Sequence, residues 1–274
     1  MSFMSPGNVV WFEISTTDPE AVKDFYGPLL GWTFETDPDS SIDGRTYTRI
    51  LAPGAPWPMG AIAEGDPVGK AVSLSVLSTD VAADTARLTA LGATVVVPPT
   101  QVGDVTVFTR LRDVRGNNIS LFSRTSAPRL QERMEDSEQQ MEQIAAAPRP
   151  GMFAWFEIGT TDPEATKSFY QDAFGWTFVF DETAGGKPYS NIFTGPQWPS
   201  GGLNAGAGAD YAMPSFLVTD VPATTAEAQA AGAQVEDGPG TNPDGLVYSR
   251  LLDPKGNRFG LFSMPTQPIQ PAGA

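Results

Sequence analysis

Residues 11–34, WFEISTTDPEAVKDFYGPLLGWTF, return as residues 155–178, WFEIGTTDPEATKSFYQDAFGWTF, with seventeen of twenty-four positions identical. Further along, STDVAADTARLTALGA (78–93) answers VTDVPATTAEAQAAGA (218–233), and RDVRGNNISLFS (112–123) answers LDPKGNRFGLFS (252–263). The offset drops from 144 to 140, so the second copy is four residues shorter in its middle. A tandem duplication of this kind predicts a first domain over 1–125, a linker over 126–150, a second domain over 151–265 and a tail over 266–274. Within the linker, LQERMEDSEQQMEQIAAA (130–147) is free of Gly and Pro and predicts a charged, solvated connecting helix.

A second layer of repetition lies inside each copy. Asp18, Asp80, Asp162 and Asp220 each follow a strand-like run and precede a helical stretch that ends at Gly31, Gly92, Gly175 or Gly232. Asp before an apolar-periodic run caps a helix by accepting its orphan N–H groups, and Gly supplies the left-handed exit. Pro19 and Pro163 fall at the first helical position, where a missing N–H is harmless. Four repeated caps are a folding signal rather than four catalytic acids. Short strand candidates follow each helix, so each copy reads as β-α-β-β-β twice, four units in all. The expected class is α+β, with helices on one face of each sheet.

Composition narrows function mainly by exclusion. Hydrophobic content of 41% and charged content of 18% across 274 residues are those of a globular chain. A net charge of −15 disfavours nucleic acid and anionic membrane as partners. No leader or spanning segment is recognisable, which makes a cytoplasmic location the expectation. The chain contains no cysteine and no histidine. Disulfides, thiolate and Ser-His nucleophiles, and imidazole-ligated zinc or iron are therefore outside its chemistry.

The TTDPEA(V/T)K(D/S)FY–GWTF block and the D-x-x-G-N turns at 113–117 and 253–257 resemble the vicinal oxygen chelate superfamily. Its members include glyoxalase I, bleomycin-resistance proteins and extradiol dioxygenases. The resemblance covers most of both halves and implies a tandem pair of domains, each a cupped sheet made from two βαβββ units. It also locates the metal-ligand positions of metal-dependent members. The first-strand ligand falls on Trp11 and Trp155, the fifth-strand ligand on Ser73 and Met213, and the last-strand carboxylate on Ser120 and Gly260. Around GAIA (60–63) and GGLNA (201–205) no paired acid supplies a remaining ligand. Every traceable position is unsuited to a metal, so neither metal nor other cofactor is expected.

The period of two along a strand separates its faces. Val10, Phe12 and Ile14, with Ala154, Phe156 and Ile158, should face the helices. Trp11 and Glu13, with Trp155 and Glu157, should line the cup. Glu13 and Glu157 have two readings: each pairs with an inward arginine, Arg110 or Arg250, or each acts as a general base. Trp57, Trp198, Tyr47, Tyr189, Phe108, Tyr248, Phe122 and Phe262 would give the cups aromatic walls. Differences at Ser73/Met213, Asn118/Arg258 and Ser120/Gly260 make the cups unequal. The expected function is metal-free binding of a small aromatic or amphipathic organic molecule. The alternative is a cofactor-independent lyase, isomerase or hydroxylase-like enzyme using Glu13 or Glu157 as base. A scaffold role for the acidic surface and the 130–147 helix is a third reading. Oligomeric state, and whether the halves share one body, are left open.

Overall fold

The computed structural model describes residues 5–42, 45–65, 67, 69–102, 106–123, 149–195 and 198–264. The expected connecting helix at 130–147 and the tail at 266–274 lie outside the described residues. The first half runs β1 (Val9–Thr16), α1 (Pro19–Leu30), β2 (Thr33–Ile42), β3 (Arg45–Leu51), β4 (Gly60–Glu64), then β5 (Val72–Ser78), α2 (Val81–Ala90), β6 (Thr94–Val102), β7 (Thr106–Arg112) and β8 (Asn118–Ser123). The second repeats the order as β9 (Phe153–Gly159), α3 (Pro163–Phe174), β10 (Thr177–Phe180), β11 (Tyr189–Phe193), β12 (Gly201–Asn204), β13 (Tyr211–Leu217), α4 (Val221–Ala230), β14 (Gln234–Thr241), β15 (Val247–Leu252) and β16 (Arg258–Phe262).

Each half forms one eight-stranded sheet, ordered β2-β3-β4-β1-β5-β8-β7-β6 and β10-β11-β12-β9-β13-β16-β15-β14. The two units of a half meet where their first strands pair antiparallel, β1 with β5 and β9 with β13. This is the α+β architecture of paired βαβββ units that the duplication predicts. The helix starts also follow the sequence. Asp18, Asp80, Asp162 and Asp220 accept the backbone N–H groups of Ala21, Ala83, Ala165 and Ala223. Gly31 and Gly175 close α1 and α3 at φ 68° and 71°, in the left-handed region.

One strand-face expectation is corrected. A register shift in β1 between Val9 and Trp11, matched in β9 between Phe153 and Trp155, leaves Val10 and Ala154 out of the ladder. Val9 and Phe153 join the core cluster; Val10 stays buried at 6% outside it, whereas Ala154 is exposed. Beyond the bulge the alternation holds, with Phe12, Ile14, Phe156 and Ile158 in the core.

The helix-bearing faces of the two sheets meet in one continuous core. Phe12 of β1 packs against Phe153 and Phe216 of the second half, with ring centroids 5.3 Å away in both cases. The repeated FY–GW block builds the joint. Trp32 stacks on Tyr26 at 4.9 Å and donates to the Gly151 carbonyl at 2.7 Å. Trp176 stacks on Tyr170 at 4.7 Å and donates to the Gly7 carbonyl at 2.8 Å. Tyr26 donates to Asp253 at 3.2 Å, and Tyr170 donates to Asp113 at 2.8 Å. The D-x-x-G-N turn of each half thus receives the tyrosine of the other half. Lys255 adds an exposed pair with Asp18 at 2.8 Å. The two halves are joined reciprocally, and their opposite faces, the cups, point away from each other.

Candidate functional site

The register of the central strands lays a diagonal row of residues across each cup floor. In the first half it runs Glu13 (β1), Ser73 (β5), Ser120 (β8), Arg110 (β7). In the second it runs Glu157 (β9), Met213 (β13), Gly260 (β16), Arg250 (β15). With strands spaced about 4.8 Å apart, the end members of each row are separated by roughly 14 Å of flat sheet. They nonetheless touch. Arg110 binds Glu13, and Arg250 binds Glu157 through Nε at 2.6 Å and a terminal nitrogen at 2.9 Å. Both side chains must therefore lie along the floor, over the two residues between. Small or pliable residues at those two places make the crossing possible. Ser73 and Ser120 are hydrogen-bonded to each other at 2.9 Å, while in the second half Met213 packs against the space that Gly260 leaves.

Burial makes these pairs consequential. Glu13 is 2% exposed and Arg110 3%. Taking either charge out of water alone would cost several kcal/mol, so each depends on its partner. The paired-arginine reading of both glutamates agrees with this geometry. Trp11 and Trp155 are half-buried beside them and donate to Tyr47 at 3.0 Å and Tyr189 at 3.3 Å. Burial, then the charge of Glu13 or Glu157, pushes the Tyr47 and Tyr189 phenols well above their ordinary range. Both phenols stay protonated and serve as hydrogen-bond donors. Phe108 carries the Arg110 guanidinium 5.5 Å from its ring centre, and Tyr248 carries that of Arg250 at 5.2 Å.

The tryptophans of the β3–β4 and β11–β12 loops behave differently from each other. Trp57 is half-buried, with its indole N–H shielded and without a hydrogen-bond partner among the described residues, whereas Trp198 is 53% exposed. Phe122 and Phe262 are half-buried at the ends of β8 and β16.

The second cup holds functional groups that the sequence reading missed. Tyr211 donates to Glu157 at 2.5 Å, and Asp237 accepts from Arg250 at 2.6 Å. Glu157 is enclosed by its own protein. The Tyr211 ring lies against Gly159, where any Cβ would collide with it, and the Tyr189 ring lies in the same way over Gly202. Burial, then Glu157, drives the Tyr211 phenol far above its ordinary range. The signal was available: Gly159 replaces Ser15 inside an otherwise repeated block, and Tyr211 shares the parity of Met213. The matching places in the first cup are Ser15 and Ala71, whose backbones bond at 2.8 Å. There the Ser15 hydroxyl approaches Glu13 at 3.5 Å, and Ala71 stands where Tyr211 does.

Tested against a metal, the floor does not fit. Trp11, Ser73 and Ser120, or Trp155, Met213 and Gly260, provide neither imidazole nor carboxylate, and the nearest carboxylate already belongs to an arginine. No group of three or more His, Cys, Asp or Glu able to hold a metal ion occurs among the described residues. Nor is any helix of the described residues long and apolar enough to cross a membrane.

Comparison with known proteins agrees with this architecture. The protein CFP32 of Mycobacterium tuberculosis, which carries the provisional name glyoxylase, is 27% identical over 272 residues, covering 93% of this chain and 94% of its own. The anthracycline biosynthesis protein DnrV of Streptomyces peucetius is 26% identical over 293 residues, covering 96% of both. Among solved structures, the Mn(II)-bound glyoxalase from Novosphingobium aromaticivorans superposes with a TM-score of 0.60 at 14% identity, over 94% of this chain and 82% of its own. A catechol 2,3-dioxygenase superposes with a TM-score of 0.59 at 13% identity, over 98% and 91%. At those identities the structural likeness establishes fold alone. The Glyoxalase-like domain model matches residues 11–122, and the Glyoxalase/Bleomycin resistance protein/Dioxygenase superfamily model matches 152–261. Duplicated βαβββ units, paired sheets and a family match on each half lead to one conclusion: the chain belongs to the glyoxalase/bleomycin resistance/dioxygenase superfamily.

Proposed function

We propose that this protein binds a small, flat organic molecule in its cupped sheet without a metal. The observation that carries the proposal is the diagonal floor row, where a buried Glu–Arg pair spans Ser73 and Ser120. By family resemblance that floor is where relatives hold a cation. Here a guanidinium supplies positive charge and directed N–H donors, and Trp11, Tyr47 and Phe108 supply aromatic surface around it. Relatives named for anthracycline biosynthesis make a polycyclic aromatic ligand the natural first probe.

Proton transfer by Glu13 or Glu157 is the weaker reading. Glu157 already accepts from Arg250 and Tyr211, and Glu13 from Arg110, so a base would first have to leave its partners. Two measurements test the proposal. Tryptophan fluorescence should be quenched saturably by an anthracyclinone, with the same Kd before and after exhaustive chelation. Plasma emission spectroscopy should find far less than one metal per chain. Near-stoichiometric metal, or binding lost on chelation, would overturn it.

A further inference from the structure

We infer that the two cups have diverged, and that only the first takes a ligand: a neutral aromatic carbonyl compound whose oxygen bonds the Arg110 Nε–H. The inference rests on the metal-free binding reading above and specifies its site and chemistry.

The contrast between the two arginines carries it. Arg250 spends Nε and one terminal nitrogen on Glu157 and the other terminal nitrogen on Asp237. Its Glu157 is in turn closed by the Tyr211 hydroxyl. Each of the three Arg250 nitrogens is thus engaged by a carboxylate of the protein itself. Arg110 stands at the same register position with Val97 opposite, where Arg250 has Asp237. Its Nε is buried and has no hydrogen-bond partner among the described residues. Ala71 stands where Tyr211 stands, so a methyl group replaces the ring that plugs the second cup. Ser15, Ser73 and Ser120 keep the rest of that floor small and polar.

A buried guanidinium N–H without an acceptor asks for an oxygen. The class of oxygen follows from charge. Glu13 lies beside the site and the chain carries −15 overall, so a carboxylate or phosphate is repelled. A neutral carbonyl accepts the bond without that penalty. Trp11, Tyr47 and Phe108 add flat apolar surface, which selects an aromatic frame for the carbonyl.

The test uses the intact chain and three probes of similar shape: anthraquinone, anthracene and anthraquinone-2-carboxylate. Tryptophan quenching should give anthraquinone a Kd roughly tenfold or more below that of anthracene, the effect of one hydrogen bond to a charged donor. The carboxylate should bind more weakly than anthraquinone. The double substitution Ser15→Gly with Ala71→Tyr copies the second cup's plug into the first and should abolish anthraquinone binding. Because that pair already packs in the second half, the variant is expected to fold, which circular dichroism checks. Independently, in wild-type protein labelled at arginine ¹⁵Nε, anthraquinone should shift the Arg110 resonance and leave that of Arg250 unmoved. Undiminished binding by the double variant, a shift at Arg250 instead, or equal affinity for anthracene overturns this inference while leaving metal-free binding standing. Absence of saturable binding by every probe overturns both.

Discussion

Glu13 and Arg110 show how much a single residue can commit a sheet to. Replacing Arg110 by Met leaves Glu13 buried without its cation, and breaking such a pair typically costs about 3–5 kcal/mol. The double replacement Glu13→Gln with Arg110→Gln should cost markedly less, because no bare charge remains. Urea denaturation of the two variants checks the order, and equal losses would mean that a bare buried carboxylate carries no extra cost here. The buried phenols make a second expectation at this scale. Tyr26, Tyr47, Tyr170 and Tyr189 all titrate well above the ordinary 10.0 in the folded chain, with burial the leading cause in each. The unfolded chain loses those protons near pH 10 while the folded chain keeps them. Their contribution is therefore complete below pH 10 and is lost as pH rises from there toward the folded values. Urea midpoints should fall steeply between pH 10 and 11, and Tyr47→Phe with Tyr189→Phe should flatten that fall. A pH-independent midpoint over this range would contradict the burial of these groups.

Among the elements, the capped helices are the most legible in the sequence. Asp220→Ala should cost about 1 kcal/mol, the usual worth of a cap, with the protein still folded. A thermal melt that does not move would mean the Ala223 N–H finds another acceptor. Strand faces were legible wherever alternation was unbroken, which is why Glu13 and Arg110 could be assigned to one surface from parity alone. Alternation failed at Val10 and Ala154, because a bulge adds a residue that no local pattern announces. The plug in the second cup was also hidden. Tyr211 reaches Glu157 from a strand 54 residues on, Asp237 faces Arg250 across a shifted hairpin register, and neither belongs to a repeated block. What repetition displays best is what both halves share, and the two cups differ where they do not repeat.

At the scale of the whole molecule, the strongest repeat proves to be a joint. The FY–GW block and the D-x-x-G-N turn, far apart in the chain, meet across the halves as Tyr26 with Asp253 and Tyr170 with Asp113. Calorimetry should therefore record one cooperative transition for both halves rather than two. Tyr26→Phe with Tyr170→Phe should lower its midpoint, since each change removes a buried hydrogen bond worth roughly 1 kcal/mol. Two resolved transitions in the wild-type protein would show that the shared core does not couple the halves.

That merged interior bears on why a duplicated chain would keep a compartment it has filled in. Phe153, Phe216 and Phe259 of the second half roof the aromatic side chains of the first. Deleting the second half would strip that roof and lay an oily surface open to water. A half that catches no molecule still serves as masonry, and tyrosine can fill its basin without loosening the joint.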